Sequence, residues 1–313
     1  MRTENRKALR GSLLLLITAM IWGAAFAAQR AGMDHVGPFT FSFIRMLLGG
    51  IVMIPVSVLL EKKASGSVSR NRSVHPNQRK AGLLCGFFLF VATSLQQLGL
   101  VSTSAGKAGF ITALYVVLVP LAGLLIFHMH PGKIIWLGVA LAVVALYLLC
   151  VPSGGLQVET GDLLLIGCAI CFTGQILCID RFAAKVNGAA LARDEFLICG
   201  FLSLPIALLT EEISWGGIQA ALIPILYTGI LSSAVGYTLQ IFAQRDVNPT
   251  VASLLMCLES VFAVLTGVIL LGERMTLREG LGSMLMLAAV ILAQLSPLLT
   301  GGKRTIMEKE KQK

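Results

Sequence analysis

Charge is what this chain has least of. Asp, Glu, Lys and Arg together make up 13% of its 313 residues, against roughly 25% for an ordinary soluble domain. That shortage excludes a solvated globular surface over most of the chain. Catalytic constellations are also missing. There is no HExxH, no GxSxG and no carboxylate pair with a partner base, so an enzyme is not expected and no catalytic residue is assigned. Gly106-Lys107 gives the segment 102–110 a passing likeness to a phosphate loop. Val101 stands where the first glycine belongs and Ala108 replaces the Ser or Thr after the lysine, so no ATPase module and no cofactor are expected. His residues number only four, and His128 and His130 precede Pro131-Gly132, as interfacial loop residues would. The seven cysteines all fall in apolar stretches. Cys168 and Cys171 form a CxxC with no second pair. A zinc site needs four converging ligands, so packing is the expected role and no metal is expected.

What fills the chain instead is apolar. Hydrophobic residues make up 56% of it, and mean hydropathy is +0.83. A bilayer core of about 30 Å needs roughly 20 apolar residues per helix. Ten such stretches are legible: 9–28, 38–60, 81–101, 105–127 and 134–151, then 161–179, 191–209, 219–243, 250–271 and 277–299. Helices are preferred to strands because lipid offers no partner to unpaired backbone groups. Basic residues and Ala25-Phe26-Ala27 give the first 28 residues the look of a signal peptide. A retained helix is expected, because it matches the start of the second half.

The formal net charge is +9, which raises the question of a nucleic-acid partner. Its distribution answers otherwise. With the N-terminus in the cytoplasm, twenty of the 25 Lys and Arg fall inside, among them Arg2, Arg6, Lys7 and Arg10, the loop 61–80 and the tail after 300. Outside are only Arg30, Lys107, Arg274 and Arg278, while Arg45 lies within the second stretch. The positive-inside rule therefore puts both termini in the cytoplasm. A lipid bilayer and a small solute are the expected partners, nucleic acid is not, and the chain is a monomer or a homodimer.

The second five stretches repeat the first five. At an offset of 144, residues 93–148 and 237–292 share twelve of 56 positions without a gap, including Leu95-Gln96 against Leu239-Gln240 and Leu137-Gly138 against Leu281-Gly282. Near the start of each half the offset is 150, with Leu13-Leu14-Leu15 against Leu163-Leu164-Leu165. An odd number of spans per half forces the halves into opposite orientations. The expected fold is therefore an all-α membrane protein of ten transmembrane helices in two inverted five-helix repeats, 9–151 and 161–299, with cytoplasmic basic tails at 1–8 and 300–313. Inverted repeats are the usual plan of secondary transporters, with substrate near the bilayer midplane. Gly82 and Gly86 form a GxxxG suited to close helix packing, and Pro120 and Pro205 mark candidate kinks.

Certain polar residues stand out at depth. Glu259 lies near the middle of its stretch, where an ionised side chain costs about 2.5–3.5 kcal/mol. The offset places Tyr115 at the equivalent point. Both are read as cavity-lining, with Glu259 either a proton or cation site or a structural residue held by hydrogen bonds. Arg45 is too deep to snorkel easily. It pairs with Glu259 or meets a substrate carboxylate. Gln96 and Gln240 are repeated amides that bond a neighbouring helix or the substrate. Gln175, Trp22 and Tyr237 complete the candidates, with the aromatic pair equally suited to the core. Asp194-Glu195 are read as interfacial beside Arg193, and Glu211-Glu212 as solvated in an outer loop.

The chain resembles the EamA-domain family of drug/metabolite transporters over essentially its whole length. The likeness rests on Ile21-Trp22-Gly23, on Phe43-Ile44-Arg45, and on Leu95-Gln96-Gln97 with the run from Thr103 through Tyr115. In the second half it rests on Tyr237-Thr238-Leu239-Gln240, Leu258-Glu259-Ser260-Val261-Phe262-Ala263 and Gly272-Glu273-Arg274. The family commonly has Glu-Pro where this chain has Glu259-Ser260, which removes the proline that would kink the ninth helix. The resemblance implies a ten-helix carrier of the inner membrane, often an exporter of amino acids or related compounds. Relatives in the wider superfamily that handle amphiphiles keep a lipid-like substrate as the alternative. A membrane-embedded enzyme or scaffold is the weaker rival.

Overall fold

The computed structural model describes residues 2–65, 76–103, 105–151, 159–271 and 275–299. Every regular element among them is helical: α1 (Arg2–Met33), α2 (Pro38–Ser65), α3 (Pro76–Ser102), α4 (Ala105–Thr112), α5 (Tyr115–Phe127), α6 (Lys133–Cys150), α7 (Thr160–Phe182) and α8 (Gly188–Thr210), then the short α9 (Trp215–Ala220) and α10 (Leu222–Leu226), a π-helical segment Tyr227–Tyr237, α11 (Thr238–Ala243), α12 (Pro249–Met256), α13 (Glu259–Leu271) and α14 (Leu277–Leu299). Nine stretches among the described residues are long and apolar enough to cross a membrane. The expected span 191–209 lies in α8, which has the length but carries Arg193, Asp194 and Glu195 in succession. The tail at 300–313, residues 66–75 of the basic loop and Gly272-Glu273-Arg274 lie outside the described residues. Of the expected tail at 1–8, the residues from Arg2 onward are helical and continuous with α1, since nothing between Arg2 and Leu9 is a glycine or proline that would stop the helix.

Helix starts follow local chemistry. Pro38 opens α2 with φ already set for a helix. The two N–H groups after it, of Phe39 and Thr40, donate to the Glu211 carboxylate at 2.7 Å each. Glu211 is thus a cap delivered from the far end of α8, which corrects its reading as a merely solvated loop residue. Asn187 caps α8 by accepting from Ala189 and Ala190, and Asn248 caps α12 by accepting from Thr250 with Pro249 next in line. A capping box of Glu159 and Asp162 starts α7.

The bundle packs mainly through α2 on α8, α3 on α7 and α6 on α14. α1 lies against α11, α12, α13 and the π-helical segment. The GxxxG face of α3 docks on α8, where a Cβ at Gly82 would stand 2.9 Å from Cβ of Asp194 and one at Gly86 2.8 Å from Cβ of Ile198.

Three expected continuous helices are not continuous. The stretch 105–127 is interrupted at Ala113 and Leu114, and 250–271 at Cys257 and Leu258. Neither break is caused by proline. Pro120 lies inside α5, beyond the first break. At both points the backbone tightens to i→i−3 bonding, with Leu114 N–H donating to Ile111 and Leu258 N–H to Leu255, both at 3.2 Å. The third stretch, 219–243, carries the π-helical segment.

Candidate functional site

The two interruptions are 144 residues apart, the offset of the repeat. Each second piece therefore begins at an equivalent position, with Tyr115 opening α5 and Glu259 opening α13. Each lies ten residues after its first piece begins, or about 15 Å along the axis at a rise of 1.5 Å per residue. That is half the thickness of a bilayer core of about 30 Å.

A narrow cavity, open at its mouth, lies at this depth. Its wall brings together all eight residues singled out in the sequence. α1 contributes Trp22, α2 Arg45, α3 Gln96, α5 Tyr115, α7 Gln175, the π-helical segment Tyr237, α11 Gln240 and α13 Glu259. Thr112 and Met256, equivalent across the same offset, line it as well.

Backbone geometry explains how the aromatic side is held. Trp22 Nε1 donates to the Ser232 carbonyl at 3.1 Å, and Thr18 Oγ1 donates to the Gly236 carbonyl at 3.2 Å. Both carbonyls belong to the π-helical segment, whose wider turns aim backbone acceptors differently from an α-helix; such segments recur at functional sites. Gly236 has no alternative residue here, because a Cβ on it would stand 2.6 Å from Trp22 Nε1. The Trp22 and Tyr237 rings lie 4.7 Å apart, tilted by 55°, and Phe196 backs Tyr237 edge-on at 6.0 Å.

The polar side is under-satisfied. Arg45 is 2% exposed, and its Nε and Nη2 have no hydrogen-bond partner. Its guanidinium lies 5.8 Å from the Phe41 ring centre. Among the described residues no acidic side chain lies within 4 Å of it, so Arg45 and Glu259 share the cavity without pairing. The Tyr115 hydroxyl lies beside Glu259 and Cys257 without closing a hydrogen bond of normal geometry. Buried polar atoms in native proteins are nearly always satisfied. Among the described residues, five of the fourteen unpartnered buried side-chain atoms, on Gln29, Arg45, Tyr115 and Gln240, belong to this cavity wall, which suits it to a polar occupant.

Gln240 Nε2 donates to Gln175 Oε1 at 3.4 Å, so these amides bond each other as well as facing the cavity. Gln175 in turn donates to Glu195. Glu195 is fully buried, which corrects its interfacial reading. Asp194 alone keeps the interfacial role, paired with Arg193 at 2.7 Å. One position of rotation separates them: helix period turns Asp194 toward the start of α3, where Gln78 donates to it at 3.4 Å, and Glu195 into the bundle. Lys107, counted on the outer side, is buried and ion-paired with Asp162 at 2.8 Å, which ties the start of α4 to the start of α7. Among the described residues no group of three or more His, Cys, Asp or Glu is placed to hold a metal, and the cysteines are free.

Apolar helices around an internal polar compartment describe a multi-pass membrane protein. The comparisons give its family. The sequence profile of the EamA-like transporter family matches residues 9–151 and again 159–295, and the chain belongs to that family. An uncharacterized transporter of Archaeoglobus fulgidus is 30% identical over 93% of this chain and 88% of its own length. The uncharacterized transporter YwfM of Bacillus subtilis is 25% identical over 91% and 94%. The threonine/homoserine exporter RhtA of Escherichia coli K12 is 32% identical, but over 59% of this chain and 61% of its own. A solved crystal structure superposes with a TM-score of 0.77 at 17% identity, covering 93% of this chain and 98% of that one, and so shares the fold. The relatives are transporters, not enzymes, and so is this chain.

Proposed function

We propose that this protein exports small polar metabolites, amino acids or related compounds, across a bacterial-type cytoplasmic membrane by alternating access, without ATP. Ten helices would form two inverted five-helix repeats, 9–151 and 161–299, with both termini cytoplasmic. The substrate would bind between the halves, and Glu259 would carry the coupling proton.

The observation that carries this reading is the cavity where two interrupted helices meet at mid-depth. Discontinuous helices of this kind build the binding sites of many secondary transporters. The packing supports a two-fold relation between the halves. Exchanging each helix with its counterpart in the other half maps α2–α8 and α6–α14 onto themselves, and turns α3–α7 into α1 with the π-helical segment and α11. Export of an amino acid is supported by RhtA, an exporter of threonine and homoserine. An unpaired Arg45 and an unpaired Glu259 offer one partner each to a carboxylate and an ammonium group.

The test is thermal stability of the purified protein across amino acids, amines, nucleobases and sugars at two pH values. A solute that binds the folded state raises its stability by mass action. A stabilising amino acid whose effect is lost in Glu259→Gln and Tyr115→Ala is the expected result. A solute that stabilises both variants as well as the wild type places binding elsewhere and sinks the reading. Export from vesicles that continues unchanged after the proton gradient is collapsed removes the coupling role of Glu259.

A further inference from the structure

The polar wall does not end at its lining residues. Behind Gln240 and Gln175 stands Glu195 of α8, with no exposed side-chain surface. Gln240 Nε2 donates to Gln175 Oε1 at 3.4 Å, and Gln175 Nε2 donates to Glu195 Oε2 at 3.5 Å. Among the described residues Glu195 Oε1 has no partner, and neither has Gln240 Oε1 at the other end. The chain of three side chains therefore runs in one direction. Every donor points from the cavity toward the carboxyl group, and the cavity end is left with a carbonyl acceptor.

The groups around Glu195 do not neutralise it. From α3 comes the Cys85 thiol, and from the π-helical segment the Tyr237 phenol. Its own helix adds Cys199 and Asp194. α11 brings no titratable side chain. Arg45 of α2 lies beside Tyr237 and Cys199, and Arg193 is held by Asp194. Among the described residues no cation stands within 4 Å of Glu195. An acidic side chain inside a membrane bundle is paired, faces water or carries a proton. Glu195 has no pair and is not part of the cavity wall, so a proton is what would neutralise it.

We propose that Glu195 is a proton-binding site separate from Glu259, and that Gln175 and Gln240 convey its state to the cavity. With Glu195 ionised, the chain ends in the Gln240 carbonyl, an acceptor suited to an ammonium group. A proton taken from the aqueous phase forms one O–H bond on the Glu195 carboxyl. That O–H then donates to Gln175 Oε1, the Gln175 amide turns its N–H toward Gln240 Oε1, and Gln240 turns its NH2 into the cavity. The same wall position becomes a donor suited to a carboxylate. Each carboxamide makes half a rotation, the two amide hydrogen bonds break and re-form in the opposite direction, no other covalent bond changes, and no charge enters the cavity.

The functional consequence rests on reading this cavity as the substrate site, but the proton site is tested without any substrate. Infrared difference spectra between acidic and alkaline buffer would be recorded on the purified protein and on Glu195→Gln, Glu259→Gln and Gln175→Met. The expected result is a protonated-carboxyl band that disappears in Glu195→Gln, survives in Glu259→Gln and shifts in Gln175→Met, where its acceptor is gone. Spectra in which Glu195→Gln loses no carboxyl band overturn the proposal. So does a band that stays in place in Gln175→Met, and that variant decides alone if Glu195→Gln does not fold. A solute panel without hits would leave these bands as they are, so the two readings fail separately.

Discussion

The two interrupted helices, α4–α5 and α12–α13, break at equivalent residues and then diverge. Both tighten to i→i−3 bonds without a proline, and both restart at mid-depth. The first restarts on the neutral phenol of Tyr115 and the second on the carboxyl of Glu259. Their anchors differ too. α4 is tied down by the buried Lys107–Asp162 pair, whereas α12 begins on the Asn248 cap. α1 presses on the second helix far harder than on the first. A Cβ at Gly23 would stand 2.6 Å from Cβ of Phe262 and 2.9 Å from the Glu259 carbonyl, while a Cβ at Gly109 in α4 would meet only Phe26 Cε2 at 3.9 Å. Duplication kept the backbone device and placed the carboxyl at the restart and the tight packing against α1 in one copy.

The largest expected effect comes from exchanging that chemistry. Glu259→Gln should lower solute export from proteoliposomes about 10–100-fold, the worth of a hydrogen bond to a charged group at about 1.5–3 kcal/mol. Tyr115→Phe should cost only a few-fold. Equal losses would mean that the two positions act as one. Next are the anchors. Lys107→Met strands the Asp162 carboxylate and should lower stability by about 2 kcal/mol, below the roughly 3–5 of a deep pair because it sits at a helix end. Asn248→Ala should cost about 1 kcal/mol by thermal denaturation. The reverse ranking would show the second helix to be the more tightly held.

Gly23→Ala should destabilise by about 1–3 kcal/mol, since backbone and Cβ atoms on α13 must move. Gly109→Ala should be neutral or gain up to about 1 kcal/mol from helix propensity. A tolerant Gly23 would dissolve the packing asymmetry. Smallest is the expected coupling between Arg45 and Glu259. Arg45→Met and Glu259→Gln should add within about 0.5 kcal/mol in stability, because no ion pair joins them.

Much of this was legible in the chain. The bounds of most helices follow from apolar runs ended by Gly, Pro and Asn, and the 144-residue offset alone set Tyr115 against Glu259. Other features left no local mark. Breaks at Ala113 and Cys257 come from a change in hydrogen-bond spacing that no proline or glycine announces. Glu195 reads as interfacial beside Arg193 and Asp194 until the helix start at Gly188 fixes which face it occupies. Glu211 caps a helix 172 residues away, a partnership that only the fold creates. The π-helical segment has no periodic signature, although Gly229 and Gly236 mark where neighbours come close.

That segment has a mechanical consequence. Its turns hold more residues than α-turns, so the chain after it is phased by how many of those turns persist. If one turn tightened to α, Tyr237 and Gln240 would swing together about the axis, and Trp22 would lose the Ser232 carbonyl as its acceptor. A change of winding would then re-index one whole wall of the compartment and carry α11 round with it.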